Sequence, residues 1–173
     1  LGFDMVRVPF DQTIEAELLG AEVDLGGRTS SPAVKAHPLK LGDPLPAFPD
    51  LDSGRARAVV ASIRILRERL GAGAAVIGGI VGPYTLASQL LGTSTILMES
   101  LLHPEEVRPY VDFARRVGAA YAGLQVQAGA DAICVEDMAS SLDLVSPRIH
   151  EQLIHGARSS SPHFCYCRTC RRS

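Results

Sequence analysis

The run Ala74–Val81 (AAVIGGIV) has no polar face. A strand wetted on one side alternates polar and apolar side chains. A run without that alternation reads as a strand covered on both sides, as in a parallel sheet between helices. Ala132–Val135 repeats the pattern and ends in Glu136-Asp137, and Met5–Val8 reads as a shorter strand closed by Pro9. Amphipathic segments lie between these runs. After Ser53, read as an N-cap, residues Ala56, Val59, Val60, Ile63, Leu66 and Leu70 recur at spacings of three and four and predict one helix face. Gly82-Pro83 opens a helix over Tyr84–Leu91, and a second piece runs from Thr95 to Leu102. His103-Pro104-Glu105-Glu106 starts the longest helix, with Pro and acids in its first turn. The stripe Val107, Tyr110, Val111, Ala114, Val117, Tyr121, Leu124 and Ala128 marks its inner face.

Strand, helix, strand, helix, strand with buried apolar strands predicts an α/β fold built on a parallel sheet, either doubly wound or a (β/α) barrel. No G-x-G-x-x-G follows a strand, so the dinucleotide-binding version lacks its marker. A complete eight-unit barrel takes roughly 250 residues, and this chain has 173. The expected architecture is an incomplete (β/α)8 TIM barrel with parallel strands and about half of the barrel present. Residues 1–156 form that partial barrel. Residues 157–173 form an atypical tail rich in Arg, Ser and Cys, read either as natural or as a frameshifted, disordered end.

Other segments are less regular. Thr13–Leu19 suits a short helix and Glu22–Leu25 a small strand. Residues 28–52 hold five of the eleven Pro and read as a long irregular excursion. A net charge of -2, no Trp and four Tyr argue against a nucleic-acid partner, which would want a basic face with aromatic platforms. No apolar run reaches the roughly 18 residues of a membrane span, and no basic-then-apolar leader precedes the first strand. Three of the four Cys fall in the last nine residues, which is not a distributed disulfide framework. A cytoplasmic setting is expected.

In a parallel α/β fold, chemistry gathers at the C-terminal ends of the strands. Three places qualify. Arg7, in an otherwise apolar strand, needs a counter-charge. It either grips an acidic substrate or cofactor group or pairs with Asp4, Asp11 or Glu15. Gly82-Pro83-Tyr84 is either a turn where backbone approaches a ligand closely or simply a tight turn before a helix. Glu136 and Asp137 point to opposite sides if the strand continues. One then faces the pocket as base, acid or ligand orienter, while the other caps the next segment. Arg7 and Asp137 should open to the same cavity. His163, Cys165, Cys167 and Cys170 put four soft ligands in eight residues, a composition zinc favours.

Together, Gly82-Pro83-Tyr84-Thr85-Leu86-Ala87-Ser88, Gly129-Ala130-Asp131-Ala132-Ile133, Asp137-Met138-Ala139-Ser140 and Leu144-Val145-Ser146-Pro147 resemble the uroporphyrinogen decarboxylase superfamily. Asp4-Met5-Val6-Arg7-Val8-Pro9-Phe10, Glu15-Ala16-Glu17 and His37-Pro38-Leu39 are most similar to its methylcobamide:coenzyme M methyltransferase branch. The resemblance spans residues 3–152. It implies a (β/α) barrel with its site at the C-terminal mouth. There Asp137 and Glu136 are the expected catalytic residues, and Arg7, Gly82, Pro83, Tyr84 and Gln89 bind substrate. In the methyltransferase branch, zinc held by a His-x-Cys pair activates a thiol for attack on the methyl group of a corrinoid carried by a partner protein. His163-Phe164-Cys165 has that His-x-Cys form. The alternative is uroporphyrinogen decarboxylation in tetrapyrrole biosynthesis, a lyase reaction without a cofactor. In that branch a Tyr stands where this chain has Gln89. A third possibility is a catalytically inactive truncated product.

Overall fold

A computed structural model of the chain describes residues 4–155. Three parallel strands form its centre, in the order β1 (Met5–Val8), β4 (Ala75–Val81), β5 (Ala132–Glu136). Met5 lies opposite Ala75 and Val8 opposite Gly78, while Ile77 lies opposite Ala132 and Val81 opposite Glu136. The crossover from β1 to β4 carries α1 (Ile14–Leu18), the antiparallel pair β2 (Glu22–Asp24) and β3 (Ala33–Ala36), and α2 (Gly54–Leu70). The crossover from β4 to β5 carries α3 (Pro83–Leu91), α4 (Thr93–Leu102) and α5 (Pro104–Gln127). After β5 come a 3-10 turn (Met138–Ser140), the single turn α6 (Pro147–Ile149) and a π-helical turn (His150–His155). The parallel α/β class is as the sequence predicts, and the architecture is an incomplete (β/α)8 barrel.

Alternation along the strands separates two faces. Val76, Gly78, Ile80, Ile133 and Val135 share one, and α5 packs on it. A Cβ at Gly118 of α5 would lie 3.5 Å from Ile80 Cδ1. A Cβ at Gly78 would overlap Gln125 Oε1 and lie 2.7 Å from Ile133 Cδ1. Gln125 is fully buried there. Its amide donates to Gly79 O and accepts from Gly79 N, both at 2.9 Å. The β1–β4 ladder ends one residue earlier, at Val8 and Gly78, so this side chain continues the hydrogen bonding that β1 no longer supplies. Arg7, Ile77, Gly79, Val81, Cys134 and Glu136 share the opposite face, which in a closed barrel is the interior.

Three local expectations change. Residues 28–52 are not wholly irregular, because Ala33–Ala36 pairs with Glu22–Asp24. The Pro-rich stretch that follows is tied down: Leu39 N–H donates to Leu90 O at 3.2 Å, and Tyr110 of α5 donates to Asp43 O at 2.7 Å. Ser53 stands at the N-cap of α2, but its hydroxyl donates to Asp50 O at 2.6 Å and caps no helical N–H. Helix α4 begins at Thr93, directly after Gly92. Ala56, Val59, Val60 and Ile63 are buried as the periodicity of α2 predicts, and Leu66 and Leu70 pack against the core at its edge.

Candidate functional site

The C-terminal ends of β1, β4 and β5 meet at one rim. Arg7 leaves β1 on the interior face and passes beside Gly79 of β4, where a Cβ would lie 3.1 Å from Pro9 O and in ordinary contact, 3.6 Å, with Arg7 Nε. Its Nη2 reaches Glu136 Oε1 at 2.5 Å. Arg7 therefore has a carboxylate partner, but not Asp4, Asp11 or Glu15. Local sequence favours those neighbours, yet the β1–β4–β5 register brings Glu136 across two strands to the same face. The other oxygen, Glu136 Oε2, accepts from Gln12 Nε2 at 2.7 Å. The guanidinium lies over the Phe10 ring, 5.0 Å from its centroid, and Phe10 is 76% exposed. Arg7 Nε is buried and has no hydrogen-bond partner among the described residues.

Asp137 takes a different course. Its Oδ1 accepts from Thr85 N–H and Thr85 Oγ1, both at 2.7 Å, and Oδ2 from Tyr84 N–H at 3.4 Å. These are unpaired donors of the first turn of α3, so Asp137 caps that helix and complements its dipole. Thr85 Oγ1 in turn accepts Ala139 N–H at 2.9 Å. Of the adjacent carboxylates, one faces the interior and the other is a cap, as alternation predicts. The helix capped, however, is the preceding α3 rather than the next segment. Gly82 is needed for this approach. A Cβ there would lie 2.7 Å from Asp137 Cα and overlap its side chain, so the closeness Gly82 permits is to Asp137 rather than to a ligand.

Tyr84, expected to bind substrate, is fully buried, and its hydroxyl contacts Ser100 Oγ at 2.9 Å. Burial raises its pKa. Pro83, Tyr84 and Asp137 line a cavity of about 310 Å³ with Val135, Val111 and Arg115. Arg7 and Glu136 are not among its lining residues. Val135 lies one residue from Glu136 and so on the opposite, helix-covered face. Arg7 and Asp137 thus reach one end of the sheet without opening to one cavity. Gln89 belongs to the interior group indirectly: its Nε2 donates to Gln12 O at 2.8 Å, and its buried Oε1 has no partner among the described residues.

Glu15, read in the sequence as a candidate partner for Arg7 and as part of the Glu15-Ala16-Glu17 resemblance, is 1% exposed and accepts Val81 N–H at 2.9 Å. Burial pushes its carboxyl up to about 7, with the Asp11 charge adding to the rise and Arg55 opposing it. Tyr121 is raised mainly by burial, with the Glu15 charge adding to the rise. Arg55 contacts Asp11, reaches Glu17 Oε2 at 2.6 Å and donates to Thr13 Oγ1 at 3.1 Å, which pins the loop after β1. Gln12 has no signal of its own in the sequence. A lone Gln in a loop gains meaning only when a distant carboxylate is placed beside it.

Among the described residues, no three His, Cys, Asp or Glu side chains converge to hold a metal ion. His163 and Cys165, the proposed zinc ligands, lie outside the described residues, as do Cys167 and Cys170. No helix among the described residues is long and apolar enough to cross a membrane.

The sequence family described as Uroporphyrinogen decarboxylase (URO-D) matches residues 1–158. Methylcobamide:CoM methyltransferase MtaA of Methanosarcina barkeri (strain Fusaro / DSM 804) is 33% identical over 155 residues, 88% of this chain and 46% of its own length. Methylcobamide:CoM methyltransferase MtbA of Methanosarcina mazei is 34% identical over 155 residues, 88% of this chain and 45% of its own. A solved methyltransferase from Methanosarcina mazei superposes with a TM-score of 0.84 at 31% identity, covering 92% of this chain and 48% of that one. The chain spans about half the length of these relatives.

Proposed function

The chain belongs to the uroporphyrinogen decarboxylase (URO-D) family, and on that premise we propose that it is part of a corrinoid-dependent methyltransferase. The reaction is movement of a methyl group from a methylated corrinoid, carried by a partner protein, to a thiol. The observation that carries this reading is the 33–34% identity over 155 residues to proteins named methylcobamide:CoM methyltransferases. The rim supports it. Arg7 keeps a buried N–H without a partner beside an exposed aromatic face, a combination suited to a small thiol bearing an acidic group. Glu136 orients Arg7, and Asp137 fixes the turn Gly82-Pro83-Tyr84 that frames the rim. By the resemblance, a zinc ion would take His163 and Cys165, which have the His-x-Cys form, as donors.

The test follows the spectrum of methylcobalamin with coenzyme M and zinc added to the chain. Thiol-dependent demethylation is expected, with loss on Arg7→Met. No demethylation, together with release of carbon dioxide from uroporphyrinogen, would establish the decarboxylase alternative. Neither reaction, with the fold intact, would favour the inactive product.

A further inference from the structure

We propose that Gln12 is a positioning residue. Its side-chain amide fixes the Glu136 carboxylate and, through it, the guanidinium of Arg7, while Gln89 holds the backbone of Gln12 in place. The proposal rests on the reading of Arg7 as the group that receives an acidic substrate.

Glu136 closes β5 at the half-exposed rim, where a free glutamate side chain would sample several rotamers. Its two oxygens are held from separate elements: Oε1 by Arg7 of β1, Oε2 by Gln12 of the loop that follows β1. An ion pair on one oxygen and a hydrogen bond on the other hold the carboxylate from two sides, as a single contact cannot. A fixed carboxylate in turn limits Arg7 to one geometry, with Nη2 engaged and Nε–H left for an incoming acceptor.

The residue type at position 12 matters. An amide donates without adding charge, so Arg7 stays the counter-ion of Glu136. A lysine would compete with Arg7, a glutamate could only repel, and an asparagine is one methylene shorter. The loop is held on both sides of Gln12. Asp11 Oδ1 accepts Thr13 N–H at 2.8 Å and Asp11 contacts Arg55, while Gln89 Nε2 binds Gln12 O at 2.8 Å. Gln89 is therefore three contacts from Arg7, acting through Gln12 and Glu136.

The test labels the arginines of the full chain with nitrogen-15 and follows the Arg7 Nε–Hε signal, assigned by its loss in Arg7→Lys. Gln12→Ala should move the signal and speed its solvent exchange about tenfold, the equivalent of one hydrogen bond to a charged group. Gln12→Glu should do at least as much, and Gln89→Leu about threefold, the scale of one neutral hydrogen bond. In a Glu136→Gln background, Gln12→Ala should add nothing further. A general packing role would not produce that non-additivity at a single arginine proton. Unchanged exchange in both Gln12 variants, or full additivity with Glu136→Gln, overturns the proposal. Methanesulfonate added to the unsubstituted chain tests the underlying reading separately. A shifted Arg7 signal supports it. No shift sinks substrate reception by Arg7, and the exchange results still decide whether Gln12 positions the pair.

Discussion

Two arginine–carboxylate pairs stand at opposite ends of the same sheet. Arg7–Glu136 lies at the C-terminal rim with side chains 22% and 23% exposed, and Arg67–Asp131 lies at the N-terminal end with 21% and 34%. Burial does not distinguish the two arginines. Arg67 donates Nε to Gly129 O at 3.0 Å, Nη1 to Gly71 O at 2.5 Å and Nη2 to Asp131, whose Oδ2 also accepts Val76 N–H at 2.8 Å. Each guanidinium nitrogen is engaged, and the group staples the end of α2 to the loop before β5. Arg7 has one engaged carboxylate partner, one unpartnered buried N–H and an aromatic neighbour open to solvent. On the proposed reading of Arg7 as a receptor, what separates it from the Arg67 staple is unsaturated donors rather than charge or depth.

The largest expected effect sharpens the rim side of this contrast. Gly82→Ala should destabilise the fold by about 3 kcal/mol or more in urea unfolding, because the new Cβ meets Asp137 backbone as well as side chain and no flexible tip can yield. A loss below about 1 kcal/mol would mean that the Asp137 cap is loosely held.

Glu15→Gln should act in the opposite direction and only above acid pH. The folded chain keeps the Glu15 proton up to about pH 7, whereas the ordinary value is 4.5. The raised value gives a stability contribution fully present below 4.5, draining away as pH rises to about 7 and absent above. Unfolding titrations should show that slope in the unsubstituted chain and a reduced one in the variant. At pH 8 the variant should be more stable by roughly 2 kcal/mol. Parallel pH profiles would show that this carboxyl is not buried beneath the rim.

Arg67→Met should cost about 2 kcal/mol by leaving Asp131 and two backbone carbonyls without their shared donor. Arg7→Met should cost less than about 1 kcal/mol, because only Glu136 loses a partner and Gln12 still holds it. Its stronger consequence should be loss of thiol-dependent demethylation. Equal destabilisation by the two substitutions would break the comparison and make Arg7 a second staple.

Much of the scaffold was legible because its signals are local. The faceless run at Ala74–Val81, the Gly82-Pro83 helix start and the three- and four-residue spacing after Ser53 each report a period set by a single element. The Ala33–Ala36 strand was hidden because four residues between prolines carry no period long enough to read. Ser53 illustrates a further limit: the residue type fits a cap, yet Asp50 O competes for its hydroxyl. Gln125 and Glu15 were hidden as partners because each bonds to backbone of β4, which is distant in sequence.

By itself the sequence determined a parallel α/β chain with polar residues collected where strands end, since side-chain period and turn chemistry need no distant information. Which carboxylate would meet Arg7 was decided by tertiary structure alone. Glu136 and Asp137 are chemically alike and adjacent. Only the register of β4 against both neighbours sends one across the interior face to Arg7 and Gln12 and turns the other into the cap of α3. Strand pairing fixes that choice because a shift of one residue would exchange their faces.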